Sequence, residues 1–109
     1  MIKKGIYKVY KEDGVVVAPC KERESVAEKL LCRRVNEAGG LCLKYGTNGM
    51  PDRIVILGGV VSFIELKRPG GKPRSDQMHC IEKLQRAGAD VRVLAGSKEV
   101  EAWCSEQGV

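Results

Sequence analysis

The chain has 109 residues, 43% hydrophobic and 30% charged, with a formal net charge of +5. That length allows one domain spanning 1–109 with little room for a second core, and the apolar content argues against a disordered tail. The opening residues, MIKKGIYKVYKED, carry lysines and then break into charge, a pattern expected of a chain without a signal peptide or an apolar membrane span.

In chain order, residues 1–20 read as a peripheral hairpin: IYKVY, a turn at Glu12-Asp13-Gly14, then VVVA up to Pro19. From Glu22 to Ala38 the pattern becomes helical, with Ala27, Leu30, Leu31, Arg34 and Val35 at helical spacing and Gly39-Gly40 as the stop. LCLKY (41–45) reads as a short strand, followed by the loop GTNGMP (46–51). RIVIL and VVSFIEL are two strands around Gly58-Gly59. The loop KRPGGKPR, Lys67 to Arg74, carries four cations and no acid. Ser75 is placed to cap a helix from about Asp76 to Ala87, with Met78, Ile81, Leu84 and Gln85 as its stripe and Gly88 as its stop. DVRVLA (90–95) is a further strand, and Ser97 caps a last helix anchored in the core by Trp103. Strand, helix 76–87 and strand 90–95 make a βαβ unit with parallel strands. The fold class is therefore α/β, a mixed central sheet with helices on both sides, of order α-β-β-β-α-β behind an N-terminal hairpin and ahead of a C-terminal helix. Both faces of the central strands are apolar, which predicts a sheet covered on both sides.

Gly58-Gly59, read as a two-residue turn, fixes the pairing of its flanking strands. Leu57 then faces Val60, Ile56 faces Val61, and at the far end Asp52 lands opposite Glu65. Directly opposed side chains have Cβ atoms about 5 Å apart, where like charges repel. Lys67 follows Glu65 by two residues and shares its face. Two readings of this cluster stand: a salt-bridge group at a solvated strand end, or a cation site in which a divalent ion relieves the carboxylate repulsion and Lys67 orients a water. Gln77, in the first turn of the following helix, is placed to aim a polar group at the strand ends, and a helix N-terminus there favours phosphate.

Pro51-Asp52, then Glu65-Leu66-Lys67 thirteen residues after the aspartate, resembles the motif of the PD-(D/E)XK nuclease superfamily. More narrowly, the chain resembles stand-alone VRR-NUC domains of phages and bacteria. The likeness runs through the helix Glu28 to Gly40, LCLKY, G-M-P-D, F-I-E-L-K-R-P-G-G, Gln77 and G-A-D-V-R-V-L, about residues 22–104. It implies a restriction-endonuclease-like core and Mg²⁺- or Mn²⁺-dependent phosphodiester hydrolysis. It also implies metal ligation by Asp52, Glu65 and the Leu66 backbone carbonyl, with Lys67 as the catalytic lysine and Gln77 in support. A helix glutamate completes the implied set; Glu28 fits by its spacing to Gly39-Gly40, with Glu24 one turn earlier as the alternative. The resemblance further implies a homodimer acting on branched DNA such as four-way junctions, in the cytoplasm of a bacterial or phage-infected cell.

The residues themselves add that Lys44, Lys67, Arg68, Lys72 and Arg74 can contact phosphates, which binds backbone without reading sequence. The hairpin residues Tyr7, Val9, Val15 and Val17 are candidates for the dimer contact, and Tyr45 for a nucleotide contact. The alternatives are a non-catalytic DNA-binding module, or a nuclease acting on other DNA structures with a partner protein. One histidine, His79, and cysteines at 20, 32, 42, 80 and 104 without a C-x-x-C argue against a zinc site. The cysteines read as packing residues with free thiols.

Overall fold

The computed structural model describes residues 11–12, 15–16, 22–44, 46 and 48–109. At its centre, Gly58 and Gly59 take φ values of 60° and 83°, the left-handed conformation that a type I′ turn needs at both positions. They fold β4 (Arg53–Leu57) back on β5 (Val60–Lys67), and the pairs run from Leu57–Val60 out to Arg53–Ile64. This is the register expected from the sequence. β3 (Leu41–Lys44) adds antiparallel to β4, and β6 (Asp90–Ala95) adds parallel to β5, giving the order β3-β4-β5-β6. The crossover between the parallel strands is α2 (Ser75–Arg86). α1 (Glu24–Glu37) precedes the sheet and α3 (Ser97–Glu106) follows it. The mixed sheet flanked by helices is the expected fold class.

Strand alternation sorts the sheet into two faces. On one, Val55, Ile64, Leu66 and Leu94 pack with Ala27, Leu31 and Val35 of α1 and with Val100, Trp103 and Cys104 of α3. The three α1 residues fall four apart, so they form one stripe on the helix. Trp103 is a core anchor, as its place in the last helix predicted. Arg34 ties the two helices together, donating to the Glu101 carboxylate and, at 2.8 Å, to the Val109 carbonyl.

The other face departs from expectation. α2 packs on β6, where Ile81 and Val91 are buried, yet Leu43 and Val61 are 44% and 47% exposed. One helix about 10 Å across spans two strands spaced about 4.8 Å apart, and the crossover fixes it at the β5–β6 side. Among the described residues no helix lies over β3 and β4 on this side.

β1 (Lys11–Glu12) and β2 (Val15–Val16) form a small antiparallel pair, the described part of the expected hairpin. IYKVY, the side chains of Tyr7, Val9, Val15 and Val17, and Tyr45 lie outside the described residues. No helix among the described residues is long and apolar enough to cross a membrane.

Candidate active site

The β4–β5 ladder stops at Arg53–Ile64, one residue short of Asp52 and Glu65. Asp52 turns its carboxylate across the gap, and its Oδ2 accepts a hydrogen bond from the Leu66 backbone N–H at 2.9 Å. That bond shows which way the Leu66 peptide faces. In a strand, one residue's N–H and C=O point to the same edge, so the Leu66 carbonyl also faces the Asp52 side, beyond the last ladder pair. The next carbonyl, of Lys67, faces the opposite edge and accepts from Gly96 N at 2.8 Å. Asp52, Glu65 and Lys67 share the sheet face that carries α2.

Glu65 is 1% exposed, and the Lys67 ammonium lies 3.3 Å from its Oε2. This is an ion-pair contact without hydrogen-bond geometry, so both Glu65 oxygens are buried with no donor among the described residues. Burial pushes the Glu65 carboxyl above its ordinary range, and the Asp52 charge pushes it further. Lys67 opposes that rise, and Glu24 in the first turn of α1 adds to it. A buried carboxylate that faces a second one and holds only a single ammonium is costly to keep. A cation between the two acids is the chemical species that would relieve it. Asp52, Glu65 and the Leu66 carbonyl are all oxygen donors, which suits Mg²⁺ or Mn²⁺ with water and phosphate filling the remaining positions. Among the described residues no three His, Cys, Asp or Glu side chains gather into a metal-holding set.

The two α1 glutamates have different surroundings. Glu28 Oε2 accepts from Arg53 Nε at 2.8 Å, and Arg53 Nη1 also donates to the Cys42 carbonyl at 3.3 Å. Arg53 points to the α1 face, opposite its neighbour Asp52, because successive strand residues alternate. The sequence reading did not single out Arg53; that alternation was the available signal. Glu24 adds the smallest of the contributions to the raised Glu65 carboxyl.

Gln77 is 7% exposed, and its Oε1 accepts from Arg74 N at 2.9 Å. The glutamine thereby caps its own helix, which starts at Ser75 with Arg74 as N-cap, one residue before the expected start. The basic loop turns at Arg68-Pro69-Gly70-Gly71, with Gly70 at φ 79° and Gly71 N donating to the Arg68 carbonyl at 2.8 Å. Lys44, Arg68, Lys72 and Arg74 are all exposed, and Arg74 pairs with Asp76 at 3.2 Å. His79 is exposed on α2. The parallel strands β5 and β6 end at this side and α2 and α3 begin just after them, so two helix N-termini add positive potential there.

The family model of the VRR-NUC domain matches residues 7–98. A protein called "Putative nuclease p44", from Acyrthosiphon pisum secondary endosymbiont phage 1, is 40% identical over 76 residues, covering 66% of this chain and 82% of the phage protein. A solved structure described as a VRR_NUC domain superposes with a TM-score of 0.66 at 36% identity, covering 72% of this chain and 90% of its own. With the acid pair, the lysine and the mixed sheet in the arrangement described above, the chain belongs to the VRR-NUC family of nuclease domains.

Proposed function

We propose that this nuclease domain is a divalent-metal-dependent endodeoxyribonuclease that cuts branched DNA, including four-way junctions, as a homodimer. The observation that carries the reading is the buried Glu65 carboxylate, without hydrogen-bond donors, beside Asp52 and 3.3 Å from the Lys67 ammonium. Asp52, Glu65 and the Leu66 carbonyl would hold Mg²⁺ or Mn²⁺. A bound divalent ion polarises a phosphate oxygen and lowers the pKa of its water.

The chain's own residues supply the rest. Lys67, 9% exposed, presents its ammonium beside Glu65, where it orients the attacking water and offsets charge developing on the phosphate. Asp52 is held by the Leu66 N–H, so the site is organised before substrate arrives. Gln77 commits its oxygen to the helix cap, which leaves its amide N–H groups to face the substrate phosphate. Glu24 serves as the α1 carboxylate near the ion, while Glu28 holds Arg53. Lys44, Arg68, Lys72 and Arg74 contact the DNA backbone, which gives affinity without sequence preference and leaves selection to DNA shape. The apolar face that runs from Leu43 on β3 across β4 to Val61 at the start of β5, with both residues exposed, suits a second copy, and two-fold symmetry then sets two sites for paired cuts.

A gel assay of linear, flapped and four-armed DNA with Mg²⁺, Mn²⁺ or EDTA tests the reading. Metal-dependent cutting of the four-armed substrate is expected from the wild type. D52N should lose cleavage at least about 100-fold while still binding DNA. Binding without cleavage by the wild type would instead make the chain a DNA-binding module, and normal cutting by D52N would overturn the site.

A further inference from the structure

We propose that Cys32 and Cys42 are a reversible disulfide site, oxidised by a hydroperoxide and restored by a dithiol. Cys32 is on α1 and Cys42 on β3, and their sulfurs lie 3.2 Å apart with both residues half-buried. A disulfide requires about 2.05 Å, so closure needs roughly 1 Å of travel shared between two side chains. The proposal stands independently of the nuclease reading.

The structure also assigns the order of events. A surface pocket of about 310 Å³ is lined by Ser25, Glu28, Lys29, Cys32 and Arg53, and Cys42 is not among its walls. Cys32 therefore has a surface opening through which a small oxidant can reach it. Lys29 and the Glu28–Arg53 ion pair line the same pocket. Cys42 is the poorer first nucleophile: burial and the adjacent Cys32 push its thiol up to about 12, so it keeps its proton at neutral pH.

In the first step the Cys32 sulfur attacks one peroxide oxygen. An S–O bond forms, the O–O bond breaks, and the released hydroxide leaves as water with the Cys32 proton. The product is a sulfenic acid. In the second step the Cys42 sulfur attacks the Cys32 sulfur. The S–S bond forms, the S–O bond breaks, and hydroxide departs as water with the Cys42 proton. Two electrons pass from the sulfurs to the peroxide, and two thiols plus one hydrogen peroxide become one disulfide plus two waters. A dithiol reverses the change by exchange. The bond would staple α1 to β3 beside Arg53, which already bridges Glu28 and the Cys42 carbonyl.

The test is peptide mapping of the full wild-type chain after treatment with one equivalent of hydrogen peroxide. The expected product is a tryptic pair joining the peptide that contains Cys32 to the one that contains Cys42, lost on adding dithiothreitol. The oxidised chain should melt several degrees (about 5 °C) above the reduced one. In C42S, a sulfenic-acid trap such as dimedone should label Cys32; in C32S it should leave Cys42 unlabelled. Circular dichroism of both variants guards against misfolding, and the wild-type map does not depend on either. The proposal is overturned if peroxide oxidises other thiols while Cys32 and Cys42 remain unlinked, or if dimedone labels Cys42 in folded C32S.

Discussion

Glu65 is the residue on which the candidate site turns, because its carboxylate is buried with no hydrogen-bond donor and a second acid faces it. Its folded-state pKa is raised, so in the metal-free protein its ionisation works against folding. Stability is then greatest below the ordinary carboxylate range and falls as pH climbs through the elevated pKa of Glu65. Thermal melts in EDTA across mildly acidic to neutral pH should show that loss. E65Q should flatten the profile and raise neutral-pH stability by on the order of 1–3 kcal/mol, the scale of an unsatisfied buried group. Lys67 opposes the same charge at 3.3 Å. K67M should accordingly steepen the melt's pH dependence while lowering cleavage. The register that carries the hairpin out to Arg53–Ile64 was legible in the sequence, because a Gly-Gly turn between two apolar runs admits one tight register. That Asp52 would be held by the Leu66 N–H was not, since it depends on how the chain leaves the ladder after Pro51.

At the scale of elements, the strands were easier to read than the rotation of α1. RIVIL and DVRVLA are the observed β4 and β6 because apolar runs bounded by turn residues leave few alternatives. Which α1 glutamate meets the site depends on how the Ala27–Leu31–Val35 stripe seats on the sheet, and sequence spacing alone does not fix that. E24Q should weaken Mn²⁺ binding roughly 10-fold, as loss of an outer carboxylate does. E28Q should leave metal affinity unchanged and cost about 1 kcal/mol of stability through the lost Arg53 bond. Denaturant melts and metal titrations on the same pair of variants separate these effects. Gly96 joins β6 to α3 at φ 94°, and a Cβ there would sit 2.8 Å from Pro69 of the basic loop. G96A is therefore expected to destabilise the fold by about 1–3 kcal/mol and to weaken DNA binding, measured by chemical denaturation and by a binding titration. The cap made by Gln77 escaped the sequence because Ser75 is the better capping residue by type; the side chain two positions on took the role and shifted the helix start.

For the whole molecule, the sheet is two-sided in its sequence and one-sided in its cover. Alternation made both faces apolar, and a single crossover helix can cover only the β5–β6 half of one of them. The exposed Leu43 on the other half follows from that count of helices, and Val61 is exposed at the turn end of β5, beside it. If a second copy occupies this face, V61K should turn a dimer into a folded monomer in sedimentation velocity and uncouple the paired cuts in a four-way junction. An unchanged sedimentation coefficient would place the dimer contact elsewhere. The central claim, that Asp52 and Glu65 together grip one divalent ion beside Lys67, is tested most directly by calorimetric titration of Mn²⁺ into wild type, D52N and E65Q. The account predicts saturable binding by the wild type and at least about a 10-fold loss of affinity in each variant. Equal affinity in all three proteins would contradict it.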